Sequence, residues 1–99
     1  MEQCDFCSGT PVIYHYPCAQ FVAWEEANLK GLSSGAWAAC ATCATLIDAE
    51  QWDRLALQSL SMFTKSPLTR KIRIVNMDVI REIHRRFRNS RTGPPEKVL

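Results

Sequence analysis

The chain has 99 residues, 46% hydrophobic and 22% charged, with a net charge of +2. That length suits one domain with a modest core, and the composition excludes an intrinsically disordered chain. No apolar run reaches the ~18 residues of a membrane span, and the first residues lack the basic and apolar regions of a secretory signal. A cytoplasmic location with no membrane partner is therefore expected.

Cys4-Asp5-Phe6-Cys7 opens the chain as a knuckle, turned outward by Ser8-Gly9-Thr10-Pro11. Val12 to Tyr16, β-branched and aromatic between two prolines, is predicted as a strand. Gln20 to Trp24 is a second strand, with Pro17-Cys18-Ala19 making the turn of a hairpin. From Glu25 to Ala36 the chain becomes polar and small, which reads as a loop. Ala38 to Glu50 is alanine-rich and free of Gly and Pro, so a helix is expected there, with the second pair, Cys40-Ala41-Thr42-Cys43, in its first turn.

Leu46, Ile47, Trp52, Leu55, Leu57 and Leu60 share no single helical face, which predicts a break near 49–51 and a further helix from Trp52 to Leu60. Ser61 to Pro67 reads as a loop, and Leu68 to Val75 fits either an exposed strand or the opening of a helix. Asn76 is a good N-cap, with Asp78 in the first turn, for a helix from Met77 to Arg88. Ile80, Ile83 and Phe87 form its apolar stripe, and Arg81, Arg85 and Arg88 fall on another face. Gly93-Pro94-Pro95 ends it and leaves a disordered tail over 93–99.

Two CxxC pairs, with 32 residues between Cys7 and Cys40, carry the strongest signal. Two short turns of this kind supply the four soft ligands of a closed tetrahedral zinc site, so Cys4, Cys7, Cys40 and Cys43 are the expected ligands of one structural Zn²⁺. Disulfides and unrelated thiols are the alternatives, and the five cysteines in all fit a disulfide framework poorly. His15 or Cys18 could replace one of the four ligands. The expected fold is small α+β: a treble-clef-like knuckle, β-hairpin and helix over 1–61, then one or two C-terminal helices in a basic segment over 62–92. A zinc ribbon is the alternative, and it would need a second hairpin after Cys43.

Cys4-Asp5-Phe6-Cys7, Tyr16-Pro17 and Trp37-Ala38-Ala39-Cys40 leading to Leu46-Ile47-Asp48 resemble small bacterial treble-clef and zinc-ribbon proteins over roughly residues 4–60. The resemblance implies a metal-stapled fold and no activity.

The charge is divided. Residues 1–64 carry two basic against seven acidic side chains, net −5, and residues 65–99 carry ten against three, net +7. Such a split favours a polyanionic partner, or docking of the basic segment on an acidic surface. Arg81, Arg85, Arg86, Arg88 and Arg91, with Arg70, Lys71 and Arg73, are the candidate nucleic-acid or partner contacts, since guanidinium groups bind phosphates bidentately. Tyr14, Tyr16, Phe21, Trp24, Trp37 and Trp52 could stack on unpaired bases, but in a chain of this length they are expected in the core. A four-thiolate site has no open position to activate water, His15 and His84 form no nuclease-like cluster, and no other catalytic constellation is present, so no enzyme is expected. The expectation is a small regulatory or accessory protein that binds RNA or DNA; a protein-interaction adaptor or homo-oligomer is the alternative.

Overall fold

The computed structural model describes residues 2–26, 29–33, 35–63 and 76–99. Among the described residues, five strands and three helices follow in the order β1 (Val12–Tyr16), β2 (Phe21–Glu26), β3 (Leu29–Ser33), β4 (Trp37–Cys40), α1 (Ala41–Asp48), α2 (Trp52–Phe63), α3 (Met77–Ser90) and β5 (Glu96–Lys97). The architecture is small α+β, with two antiparallel sheets ordered β4-β1-β5 and β2-β3.

The strand pairing differs from the expected hairpin. β1 pairs with β4, Tyr16 opposite Trp37 and Val12 opposite Cys40, and not with β2. β2 pairs instead with β3, inside the stretch expected to be a loop. Ala38 to Cys40, helical by propensity, are extended, and α1 begins only at Ala41. The physical reason is pairing: β1 offers a free edge, and filling it outweighs the few tenths of a kcal/mol by which alanine favours a helix.

Residues 93–99 are likewise no free tail. Glu96 and Lys97 pair with His15 and Tyr14, and the Val98 amide donates to Ile13 O at 2.8 Å. Upstream, Thr92 N donates to Pro17 O, and Arg91 bridges to Cys18. β1 is thereby the central strand, with partners from both directions along the chain.

The helical break falls at the expected place. Glu50 adopts a left-handed conformation (φ 56°), and the amides of Glu50 and Gln51 close on Ile47 O and Leu46 O. This pattern of two reversed bonds ends α1 and starts α2 in a new direction. Farther on, the Asn76 side chain accepts from Val79 N at 3.0 Å and caps α3. α2 runs on to Phe63, through the first residues of the loop expected from Ser61, and residues 64–75, including Arg70, Lys71 and Arg73, lie outside the described residues.

α3 is sharply amphipathic. Ile80, Ile83, His84 and Phe87 are buried, while Arg81, Arg85 and Arg88 are exposed. The core collects Phe6, Tyr16, Trp37, Ile47, Leu55 and Phe87. The stripe of α3 thus packs into the chain's own core and does not present itself to a partner. Among the described residues no helix is long and apolar enough to cross a membrane.

Candidate metal centre

Cys4 and Cys7 sit on a tight turn over residues 5–7, closed by Ser8 N on Cys4 O at 2.8 Å and Cys4 N on Gly9 O at 2.9 Å. Asp5 fastens this turn to β4: its amide donates to Ala38 O at 2.8 Å, and its carboxylate accepts from Ala38 N at 2.7 Å. The knuckle is therefore hydrogen-bonded to the strand that delivers Cys40. Cys40 ends β4 and is the N-cap residue of α1, without a side-chain cap bond, and Cys43 lies in the first helical turn.

The four sulfurs lie within 4.8 Å of one another, and all four residues are buried. Cys7 Sγ and Cys40 Sγ are 3.6 Å apart. A tetrahedral ion with metal–sulfur bonds of about 2.3 Å requires sulfurs about 3.8 Å apart, close to the separation found here. No disulfide joins them. The four cysteines could hold one metal ion.

Electrostatics favours a cation at this place. In the free cluster Cys4 is held at about 5, chiefly because the Cys43 thiol donates to it, with amides of Cys40, Phe6 and Cys7 assisting. Burial pushes Cys7 up to about 11, and donation to Cys4 together with burial drives Cys43 far up. One thiolate is stable here, but further negative charges repel one another in a desolvated space. A divalent cation removes that obstacle and displaces the remaining protons.

Neither substitute ligand joins the cluster. His15 Nε2 contacts the Glu2 carboxylate at 2.8 Å, and the Cys18 thiol donates to Tyr16 O at 3.3 Å. Phe6, which sequence reasoning passed over, has a large role. Its ring meets those of Trp37 and Phe87, both at 5.1 Å, and that of His84 at 5.5 Å. A large apolar residue inside a CxxC turn was the available signal. Tyr16 completes the frame, its hydroxyl donating to Asp48 Oδ1 at 3.0 Å and tying β1 to α1.

The described arginines of the basic segment lie along α3 and its exit, each with an intramolecular neighbour. Arg81 reaches Asp53 at 3.1 Å and Asp78 at 3.5 Å. Arg85 makes two 2.6 Å bonds to Glu82. Arg86 contacts Glu82, Glu25 and Val22 O, so it clamps β2 onto α3. Arg88 lies 4.6 Å above Trp52, and Arg91 lies 4.9 Å above Tyr16. Sequence spacing could pair Glu82 with Arg85 or Arg86; it could not foresee Asp53 or the two rings.

No family model, curated protein or solved structure matches the chain.

Proposed function

We propose that the chain is a zinc-stapled, treble-clef-like binding module whose α3 face contacts RNA or DNA. Zn²⁺ suits a closed set of four buried thiolates, and such a site is structural because no ligand position remains for water. Its task here is architectural: it fixes the knuckle, the knuckle inserts Phe6 beneath α3, and α3 carries the arginines.

The observation that supports the nucleic-acid reading is the solvent side of α3. Arg81, Arg85 and Arg88 are exposed on one face, with Asp78 and Glu82 the acidic residues of that helix. Exposed ion pairs such as Arg85–Glu82 contribute about 0–1 kcal/mol, so phosphates can displace the carboxylates at little cost. The alternative, an adaptor docking through Ile80, Ile83 and Phe87, has less support, because those side chains are buried.

The test is fluorescence anisotropy with short single-stranded RNA and duplex DNA over a salt series. Affinity should fall steeply with salt, and changing Arg81, Arg85 and Arg88 together to Glu should abolish it at unchanged zinc content. Absence of binding at low salt would sink the nucleic-acid reading.

A further inference from the structure

We propose that Cys7 and Cys40 form an oxidant-modification site, in which a hydroperoxide entering the cavity beside Gly9 joins the two sulfurs as a disulfide and frees the metal ion. The inference rests on the zinc reading only for the identity of the released ion; the sulfur chemistry belongs to the chain.

The four cysteines are not equivalent. A surface cavity of about 270 Å³ is lined by Cys7, Gly9, Thr10, Cys40, Thr42 and Gln58 among others, and by neither Cys4 nor Cys43. Exposure follows the same division: Cys40 9% and Cys7 5%, against Cys4 3% and Cys43 0%. A water occupies ~30 Å³ of liquid volume, so a small hydroperoxide has ample room. Gly9 keeps the sulfurs accessible, since a Cβ there would stand 3.1 Å from Cys7 Sγ and 3.9 Å from Cys40 Sγ.

The two cavity sulfurs are 3.6 Å apart and must approach by about 1.5 Å to bond.

The chemistry balances with the hydroperoxide as oxidant. A thiolate of the pair attacks the distal peroxide oxygen, the O–O bond breaks, and the departing alkoxide or hydroxide takes a proton from water. The second thiolate attacks the resulting sulfenic sulfur, the S–S bond forms, and the S–O bond breaks with loss of hydroxide, which takes a proton from the buffer. The sulfurs lose two electrons and the peroxide gains them. Cys4 and Cys43 alone no longer close the coordination sphere, and the ion departs.

The experiment uses the full chain in a Cys18→Ser background, with metal content measured first. Hydrogen peroxide is added, zinc release is followed with a chromogenic chelator, and cystines are located by peptide mapping. The expected result is release in step with one Cys7–Cys40 disulfide, reversed by dithiothreitol and added zinc. Gly9→Ala should slow both events several-fold at unchanged zinc stoichiometry. Should that variant not fold, N-ethylmaleimide labelling of the parent decides: Cys7 and Cys40 should be modified before Cys4 and Cys43. A cystine map dominated by other pairs, or the reverse labelling order, overturns the proposal. Protein purified without metal overturns the zinc reading and leaves the cystine map to judge this one.

Discussion

Phe6 meets Phe87 edge to face, their ring centroids 5.1 Å apart and their planes at 79°. One ring lies between two cysteines of the cluster, and the other anchors the helix that carries the arginines. The contact links the cysteine cluster to the basic face by direct packing. Replacing Phe6 by Ala should cost about 3–5 kcal/mol, through lost apolar burial and the cavity left behind. Phe6→Leu should cost less, and both should keep their metal if the four sulfurs act independently of the ring. Urea unfolding with parallel metal analysis measures both quantities; equal stability of Phe6→Ala and the parent would refute the link.

If the cluster holds zinc as proposed, removing the ion should unfold much more than the knuckle. Structural zinc in small domains contributes about 10 kcal/mol or more of apparent binding free energy, and that energy is folding energy. Chelation, or Cys7→Ser or Cys40→Ser, should therefore abolish cooperative thermal unfolding by circular dichroism. Cys18→Ser should retain it, because Cys18 lies apart from the cluster.

Acid should weaken the fold through His84 as well as through the thiolates. His84 is buried against Phe6, with Ser59 Oγ 3.3 Å from Nε2 and, among the described residues, no partner on Nδ1. Burial lowers its pKa from 6.5 to about 4, so between those values the unfolded chain binds the proton that the folded chain refuses. This contribution is complete above pH 6.5, falls as pH drops toward 4, and amounts to roughly 3 kcal/mol. His84→Leu should flatten the pH profile by that amount relative to the parent, measured by urea unfolding in saturating metal. Parallel profiles would show that His84 does not titrate on unfolding.

Glu82 restrains the basic face. Arg85 and Arg86 hold its carboxyl at about 2, well below the ordinary range. Glu82→Gln frees the Arg85 guanidinium and removes one of the partners of Arg86, which keeps Glu25 and Val22 O, and it should strengthen binding to duplex DNA or RNA at low salt, with a steeper salt dependence. Anisotropy titrations check it, and weaker binding would argue against phosphate contact on this face.

Glu50 holds a left-handed conformation that carries a steric penalty for any residue with a Cβ. Glu50→Gly should stabilise the chain by up to about 1 kcal/mol, because glycine adopts this turn freely. A loss of stability would mean that the Glu50 side chain has an unrecognised role.

The sequence revealed most where the determinants were local. Asn76 with the Ile80/Ile83/Phe87 stripe marked α3, and the conflict of faces around Ala49 marked the break between α1 and α2. The doubled CxxC spacing pointed to residues that the fold gathers into one cluster. Long-range pairing was hidden. Leu29-Lys30-Gly31-Leu32-Ser33 carries loop-like residues and becomes a strand because β2 lies beside it. Ala38-Ala39 are extended because β1 needs a partner, and Glu96-Lys97 are too short to signal a strand after two prolines. The cysteine set was legible from its spacing, but the ring placed beneath α3 by Phe6 was not.

β1 takes its two neighbours from distant parts of the chain, Trp37–Cys40 on one edge and Glu96–Lys97 on the other. This dictates an order of assembly. An ion joining Cys7 to Cys40 would shorten the search that brings β4 to β1, whereas β5 must close a far longer loop. During synthesis the sheet must wait with one bare edge until residue 97 has cleared the ribosome. A newborn chain that has bound such an ion is therefore most exposed to wrong strand pairing until β5 arrives.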